Sequence, residues 1–166
     1  MKRLARAIAT VLYVGTLRPA PGTWGSAAAL PLFYLLHIAG GPALTIAACV
    51  AVFVLGWWAT QRATLGEADH DPSEIVIDEV AGQWIALLPL SIGAAHVGAD
   101  ITALWPGWLV GFLAFRAFDI TKIGPIGWAD RRHDALGVML DDVIAGLFAA
   151  LTVVVLAAIA HLPVIL

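Results

Sequence analysis

The sequence predicts an all-α membrane protein: a polytopic bundle of about four to five apolar helices with an N-terminal helix lying at the interface. Three observations carry this. Hydrophobic residues make up 61% of the 166-residue chain and charged residues only 13%, against about 25% charged in ordinary soluble domains. Mean hydropathy is +0.90. Several uncharged runs approach the roughly 20 apolar residues that a helix needs to cross a bilayer. The formal net charge of −3 leaves no basic excess for a nucleic acid, so no nucleic-acid partner is expected. One cysteine excludes an internal disulfide framework and a multi-cysteine metal site. The length fits a single domain over 1–166.

Taken in order, residues 1–14 place Lys2, Arg3 and Arg6 before an apolar stretch, as in an amphipathic helix seated on anionic headgroups. Thr10, Tyr13, Gly15 and Thr16 interrupt the run, which argues against a signal peptide. Residues 18–26 (Arg18-Pro19-Ala20-Pro21-Gly22-Thr23-Trp24-Gly25-Ser26) read as a tight loop. The apolar run 27–39 has 13 residues, too short to span by itself at full thickness. Gly40-Gly41-Pro42 signals a hairpin, and 42–61 follows without charge, ending in Trp57 and Trp58, which suit an interface. The polar segment 62–74 reads as a loop. Three further crossings are expected near 75–95, 103–120 and 138–160.

This threading collects charge at one face. All nine basic residues and eleven of the twelve acidic ones fall there, leaving Asp100 alone in the opposite loop. The positive-inside tendency makes that face cytoplasmic, with the N terminus inside and the C terminus outside.

Ionisable groups beside apolar segments are expensive and mark function. Asp78 and Glu79 open one apolar helix. Gly82, one turn on, would let another helix approach closely. A helix dipole would explain one such carboxylate more readily than two. Asp141 and Asp142 repeat the pattern, with Gly146 following. Between them, Arg116, Asp119 and Lys122 share one face of a helix end, which could otherwise be a salt-bridge ladder with snorkelling cations. Five carboxylates at one membrane face need a cation. Oxygen ligands with few His or Cys favour Mg²⁺ over zinc. Arg and Lys alongside complete an apparatus for a phosphoryl group. In the 18–26 loop, Gly22 could expose backbone N–H groups, and Thr23 and Ser26 add hydroxyls, all suited to phosphate; Ser26 could equally be a plain helix cap. Asp71, Asp130 and His70 are weaker outer candidates. Cys49 reads as an inert buried thiol. His133 reads as part of a surface turn, and His37, His96 and His161 as packing or interfacial residues.

Four blocks carry a resemblance: Pro19-Ala20-Pro21-Gly22-Thr23-Trp24-Gly25-Ser26, the stretch 75–86 around Asp78-Glu79, Phe115-Arg116-Ala117-Phe118-Asp119-Ile120-Thr121-Lys122, and the stretch 137–146 around Asp141-Asp142. In order and spacing they resemble the signature blocks of bacterial phosphatidylglycerophosphatase A, over about residues 8–160. The resemblance implies a multi-pass, inner-membrane, Mg²⁺-dependent phosphatase acting at the cytoplasmic face. Its substrate would be a phospholipid, phosphatidylglycerophosphate, and its products phosphatidylglycerol and phosphate. The family's acidic, metal-dependent site would fall on Asp78, Glu79, Asp119, Asp141 and Asp142, and its basic positions on Arg116 and Lys122. The chain departs from the family's frequent Lys-Pro-x-Pro run at Lys122-Ile123-Gly124-Pro125.

The expected reaction is attack of a metal-activated water on phosphorus, with the glycerol alkoxide leaving and Asp78, Glu79, Asp141 or Asp142 as base; an aspartyl-phosphate intermediate is the alternative. A small ion or solute transporter could also carry acidic residues in a membrane. It would place them at mid-bilayer between related halves, and here no two halves match.

Overall fold

The computed structural model describes residues 1–67, 69 and 71–165, with side chains through His161. Among the described residues every regular element is helical: α1 (Lys2–Ala9), a 3₁₀ turn (Val14–Thr16), α2 (Pro21–Ala63), α3 (Ile77–Val97), a second 3₁₀ turn (Ile101–Leu104), α4 (Trp105–Thr121), α5 (Pro125–Asp130) and α6 (Ala135–Ile165).

The N-terminal helix is shorter than the expected 1–14. A continuing helix would carry the Tyr13 N–H to the Ala9 carbonyl. Instead the Tyr13 N–H donates to Thr10 Oγ1 at 3.0 Å, and the Ala9 carbonyl accepts from the distant Val76 N–H at 2.9 Å. Val11, Leu12 and Tyr13 then take left-handed conformations. Two of the three basic side chains are also engaged within the chain: Lys2 Nζ lies 2.6 Å from Glu67 Oε1 and Arg6 Nη2 lies 2.7 Å from Glu74 Oε2. Thus α1 is fastened to the polar segment that precedes α3.

Helix α2 is folded back on itself at Gly40 and Gly41, whose backbone leaves the helical region; Gly41 (φ 59°, ψ −152°) sits where essentially only glycine is comfortable. A straight helix would separate Gly25 from Gly56 by about 46 Å. Both instead pack at the start of α3. A Cβ on Gly25 would lie 2.7 Å from the Val76 side chain, and one on Gly56 would lie 3.2 Å from Ile77. At the opposite end, His37 Nδ1 and Thr45 Oγ1 both reach Ser91 Oγ, at 2.8 and 3.2 Å. The two arms, 21–39 and 42–63, therefore form an antiparallel hairpin.

The first arm is longer than the 13-residue run expected. Pro21 occupies the first turn of the helix, where its missing N–H costs nothing. Gly22 and Gly25 are helical because neighbouring helices press on them. At about 28 Å, the arm matches the hydrocarbon thickness of a bilayer. Four helices are long and apolar enough to cross a membrane; since α2 doubles back, the chain provides five crossing segments.

Helix α3 is the centre. Its face from Val80 to Ala94 is largely buried, and the Trp84 indole N–H donates to the Ala29 carbonyl at 2.9 Å, satisfying a polar group inside the bundle. Helix α4 runs antiparallel to α3, with Gly107 against Leu90, Gly111 against Leu87, and Phe115 against Gly82. Helix α6 runs parallel to α3 and crosses it at Gly146 and Gly82. Outward-facing Leu35, Val54, Leu113, Leu147 and Leu151 are exposed, forming an apolar belt far larger than soluble proteins leave bare.

Candidate active site

The bundle brings the starts of the first arm, α3 and α6 and the end of α4 to one end. The acid pairs sit there in different settings. Asp78 and Glu79 lie in the first turn of α3, where the helix dipole favours negative charge. Asp141 and Asp142 lie nearly two turns inside α6, which begins at Ala135 and not near 138 as expected. That earlier start follows from Asp134, whose Oδ1 accepts the Gly137 N–H at 2.7 Å, an N-cap next to His133, which the sequence places in a surface turn. Dipole effects fade beyond the first turn, so they do not account for Asp141 and Asp142. In each pair the first carboxylate accepts the N–H of the second residue at 3.0 Å: Asp78 from Glu79, and Asp141 from Asp142.

The five carboxylates converge. Asp78, Asp119, Asp141 and Asp142 are 7%, 8%, 4% and 2% exposed. They line, with Glu79, a cavity of about 240 Å³ whose wall also includes Gly22, Asp71, Ser73, Arg116 and Lys122. A larger cavity of about 800 Å³ lies beside α1. Two of its basic side chains, Lys2 and Arg6, are already paired with Glu67 and Glu74, and it holds none of the five carboxylates, so the smaller one is the candidate site.

Two cations are set among the acids. Arg116 Nη1 lies 2.9 Å from Asp119 Oδ2 and 3.9 Å from Glu79 Oε1. Lys122 ends α4 in a left-handed conformation (φ 49°). Its ammonium lies 3.0 Å from Asp119 and 3.5 Å from Asp130, and contacts Asp141 closely. Burial would lower the Lys122 pKa, but Asp119, Asp141 and Asp142 outweigh it and hold the pKa above the ordinary lysine value.

Two cations do not balance five clustered carboxylates, four of them buried, and the excess shows in unpartnered atoms. Glu79 Oε2 and Asp142 Oδ2 are buried without a hydrogen-bond partner. Such atoms are costly unless a ligand satisfies them. Two sets of ligand atoms, from Asp78, Glu79 and Asp142 and from Asp119, Asp141 and Asp142, each lie within 4.8 Å of one another. Compact all-oxygen sets of this kind suit a hard divalent cation.

The remaining candidates separate. Gly22 belongs to the cavity wall, and a Cβ there would intrude on Glu79 Oε1 and lie 3.1 Å from Arg116 Nη2. Ser26 is neither loop nor cap. It lies inside the first arm, fully buried, donating to the Gly22 carbonyl at 2.9 Å and accepting from Arg116 Nη1 at 3.4 Å. Thr23 does not line the cavity. Asp71 does, at its mouth, and also borders an adjoining cavity of about 160 Å³ with Asp130 and His133. His70 lies outside the described residues. Ser73 was missed: it lines the site, and its Oγ accepts from Arg18 at 3.2 Å. Its only signal was its place in the polar segment just before Ile75. Gln83, one turn beyond Glu79, was also passed over and is buried with neither amide atom partnered.

Comparison with known proteins gives this geometry a context. No solved structure matches the chain. A Haemophilus influenzae phosphatidylglycerophosphatase A is 36% identical over 84% of this chain and 80% of its own. The Escherichia coli protein of the same name is 33% identical over 78% of this chain and 70% of its own. A Bacteroides thetaiotaomicron protein, named as a candidate phosphatidylinositol-3-phosphatase, is 32% identical over 82% of both chains. The model of the phosphatidylglycerophosphatase A family matches residues 7–157, which include every carboxylate and cation of the cavity. With its acid pairs, Arg116 and Lys122 gathered at one end of a membrane-spanning bundle, this chain belongs to that family of phosphatases.

Proposed function

We propose that the protein hydrolyses the terminal phosphomonoester of phosphatidylglycerophosphate, yielding phosphatidylglycerol and inorganic phosphate, with a Mg²⁺ ion held by the acidic set. The observation that carries this reading is the convergence of five carboxylates, Arg116 and Lys122 in one cavity at the end of an apolar bundle. A lipid whose tails stay in the bilayer would present its phosphate at that depth. The names of the two relatives supply the headgroup. We further propose that this end faces the cytoplasm across the bacterial inner membrane, in keeping with the gathering of basic residues there.

The unpartnered Glu79 Oε2 and Asp142 Oδ2 fit a cation ligand set. A divalent ion bound there supplies Lewis acidity to the phosphoryl oxygens and acidifies water. The chain's own groups do the rest. Arg116, braced by Ser26 and Asp119, presents its guanidinium to non-bridging oxygens, for which its forked donors are suited. Asp119 orients both Arg116 and Lys122. Among Asp78, Glu79, Asp141 and Asp142, one carboxylate accepts the proton of the attacking water. The new P–O bond forms as the P–O bond to glycerol breaks, and a proton returns to the departing alkoxide. Gly22 keeps the wall low enough for the phosphate to approach.

A transporter reading is not favoured, because the carboxylates gather at one end of the bundle and the relatives are named as phosphatases. The test is phosphate release by the purified protein in detergent from three substrates: phosphatidylglycerophosphate, phosphatidylinositol 3-phosphate and a soluble phosphomonoester. Each is assayed with Mg²⁺ and with chelator. Release from the first substrate, greatest of the three and lost with chelator, is expected. Equal or greater release from phosphatidylinositol 3-phosphate would reassign the headgroup, and full activity in chelator would remove the metal.

A further inference from the structure

The two acidic ligand sets share Asp142, but their surroundings differ. At ion-pair distance Asp78, Glu79 and Asp142 have one cation, Arg116, which lies 3.9 Å from Glu79. The two buried orphan oxygens, Glu79 Oε2 and Asp142 Oδ2, both belong to this set, and Asp142 is 2% exposed. The second set, Asp119, Asp141 and Asp142, is already occupied by a positive charge. The Lys122 ammonium touches Asp119 and Asp141 directly, and Arg116 holds the other oxygen of Asp119.

The backbone supports a dedicated placement. Lys122 is a non-glycine residue in the left-handed region at the end of α4, a conformation that L side chains adopt rarely. The helix has ended by then, and the ammonium turns back over the carboxylates of Asp119, Asp130 and Asp141. Paired-ion phosphoryl-transfer sites use two cations to balance charge on either side of the reacting group. Here the first position has the unpartnered Glu79 oxygen to itself and shares that of Asp142, whereas the other two carboxylates of the second are already paired with an ammonium.

We propose that the site binds a single divalent cation, at Asp78, Glu79 and Asp142, and that the Lys122 ammonium stands permanently in the place of a second one at Asp119 and Asp141. This rests on the reading that the acidic set holds a metal. Lys122 is then a fixed structural cation, and Arg116 is the basic group left to grip phosphate.

Binding of Mn²⁺ to the purified full chain in detergent tests this, by counting bound ions and recording their electron paramagnetic resonance spectrum. The wild type should bind one Mn²⁺ and show an uncoupled spectrum. Lys122→Met, which removes the ammonium but keeps an unbranched stem nearly as long, should bind two, with the broadened spectrum of a spin-coupled pair. Lys122→Arg, which retains the charge, should bind one and controls for folding of the altered helix end. Asp142→Asn should weaken Mn²⁺ binding at least tenfold in every background. Two ions in the wild type would overturn the proposal while leaving a metal-dependent site intact, as would one ion in folded Lys122→Met. No ion in the wild type would overturn the metal reading itself.

Discussion

Gly146 rests on the backbone of Gly82: a Cβ at Gly146 would lie 3.0 Å from the Gly82 Cα and would strike the Gly82 carbonyl. This contact sets how closely α3 and α6 cross. Each glycine is four residues beyond an acidic residue, Asp78 and Asp142 respectively, so each lies one helical turn from an acid. The crossing therefore sets the separation of the two acid pairs. Packing inside the membrane and the geometry of the carboxylate cluster are the same structural fact.

Gly146→Ala should separate the helices, because backbone cannot move aside as a flexible side chain can. Overpacking of this kind costs about 1–3 kcal/mol. Displacement of a reacting group by about 1 Å can cost 100-fold in rate. A lower thermal midpoint in detergent, with phosphate release reduced more than tenfold, is expected. Unchanged activity would show that the crossing does not hold the acid pairs in register.

Much of this was readable before any coordinates. Charge beside apolar runs is expensive, so Asp78, Glu79, Asp141 and Asp142 stood out, and the glycine one turn after each pair pointed to a close crossing. Segments governed by distant contacts were less legible. Pro21, Gly22 and Gly25 read as a turn because both residue types break isolated helices; Val76 and Arg116, packed against the glycines, make them helical. The end of α1 depends on the Val76 N–H claiming the Ala9 carbonyl, which no local pattern encodes. Thr23 and Ser26 looked equivalent as loop hydroxyls. Once 21–39 is a helix, Ser26 lies one turn from Gly22, against Arg116, and Thr23 is left off the cavity wall.

That distinction yields a paired prediction. Ser26→Ala removes a buried hydroxyl that accepts from Arg116, a loss of roughly 1 kcal/mol and so about fivefold. If Arg116 binds substrate phosphate, the loss falls mainly on KM. Thr23→Ala should leave both kinetic constants within about twofold, as for changes away from a built feature. Equal effects of the two substitutions would remove Ser26 as a brace for Arg116.

Asp142→Asn should be more severe than either. It neutralises the most buried of the cavity's carboxylates, at 2% exposure, and the residue common to both ligand sets. Altering groups that merely support metal ligands costs 10–100-fold in affinity or activity. A direct ligand should exceed that, so phosphate release should fall by more than about 100-fold and extra Mg²⁺ should restore it only in part. The fold should persist, because asparagine keeps the shape and removes one buried charge; circular dichroism checks this. Retention of more than a tenth of the activity would exclude Asp142 from the site.

The last prediction concerns the start of α6, away from the chemistry. Asp134 caps the helix through Gly137 and pairs with Arg132, whose Nη2 lies 2.9 Å away. The hydrogen bond from Arg132 is the largest cause holding the Asp134 pKa below the ordinary aspartate value, with the Gly137 N–H contributing. A depressed carboxyl pKa stabilises the fold fully above the unfolded-state value of about 4, and the gain fades as pH falls from there through the lower folded-state value. Asp134→Ala should therefore lower stability near neutral pH by about 1 kcal/mol, the usual cost of a lost N-cap. The gap from wild type should narrow as the pH drops below 4. Asp134→Asn keeps a capping oxygen but cannot ionise, so it should lose less at neutral pH and show a flatter acid limb. Thermal midpoints across pH 3–7 in one detergent would check all three. A constant wild-type-to-Ala gap over that range would show that the charge at Asp134 does not contribute.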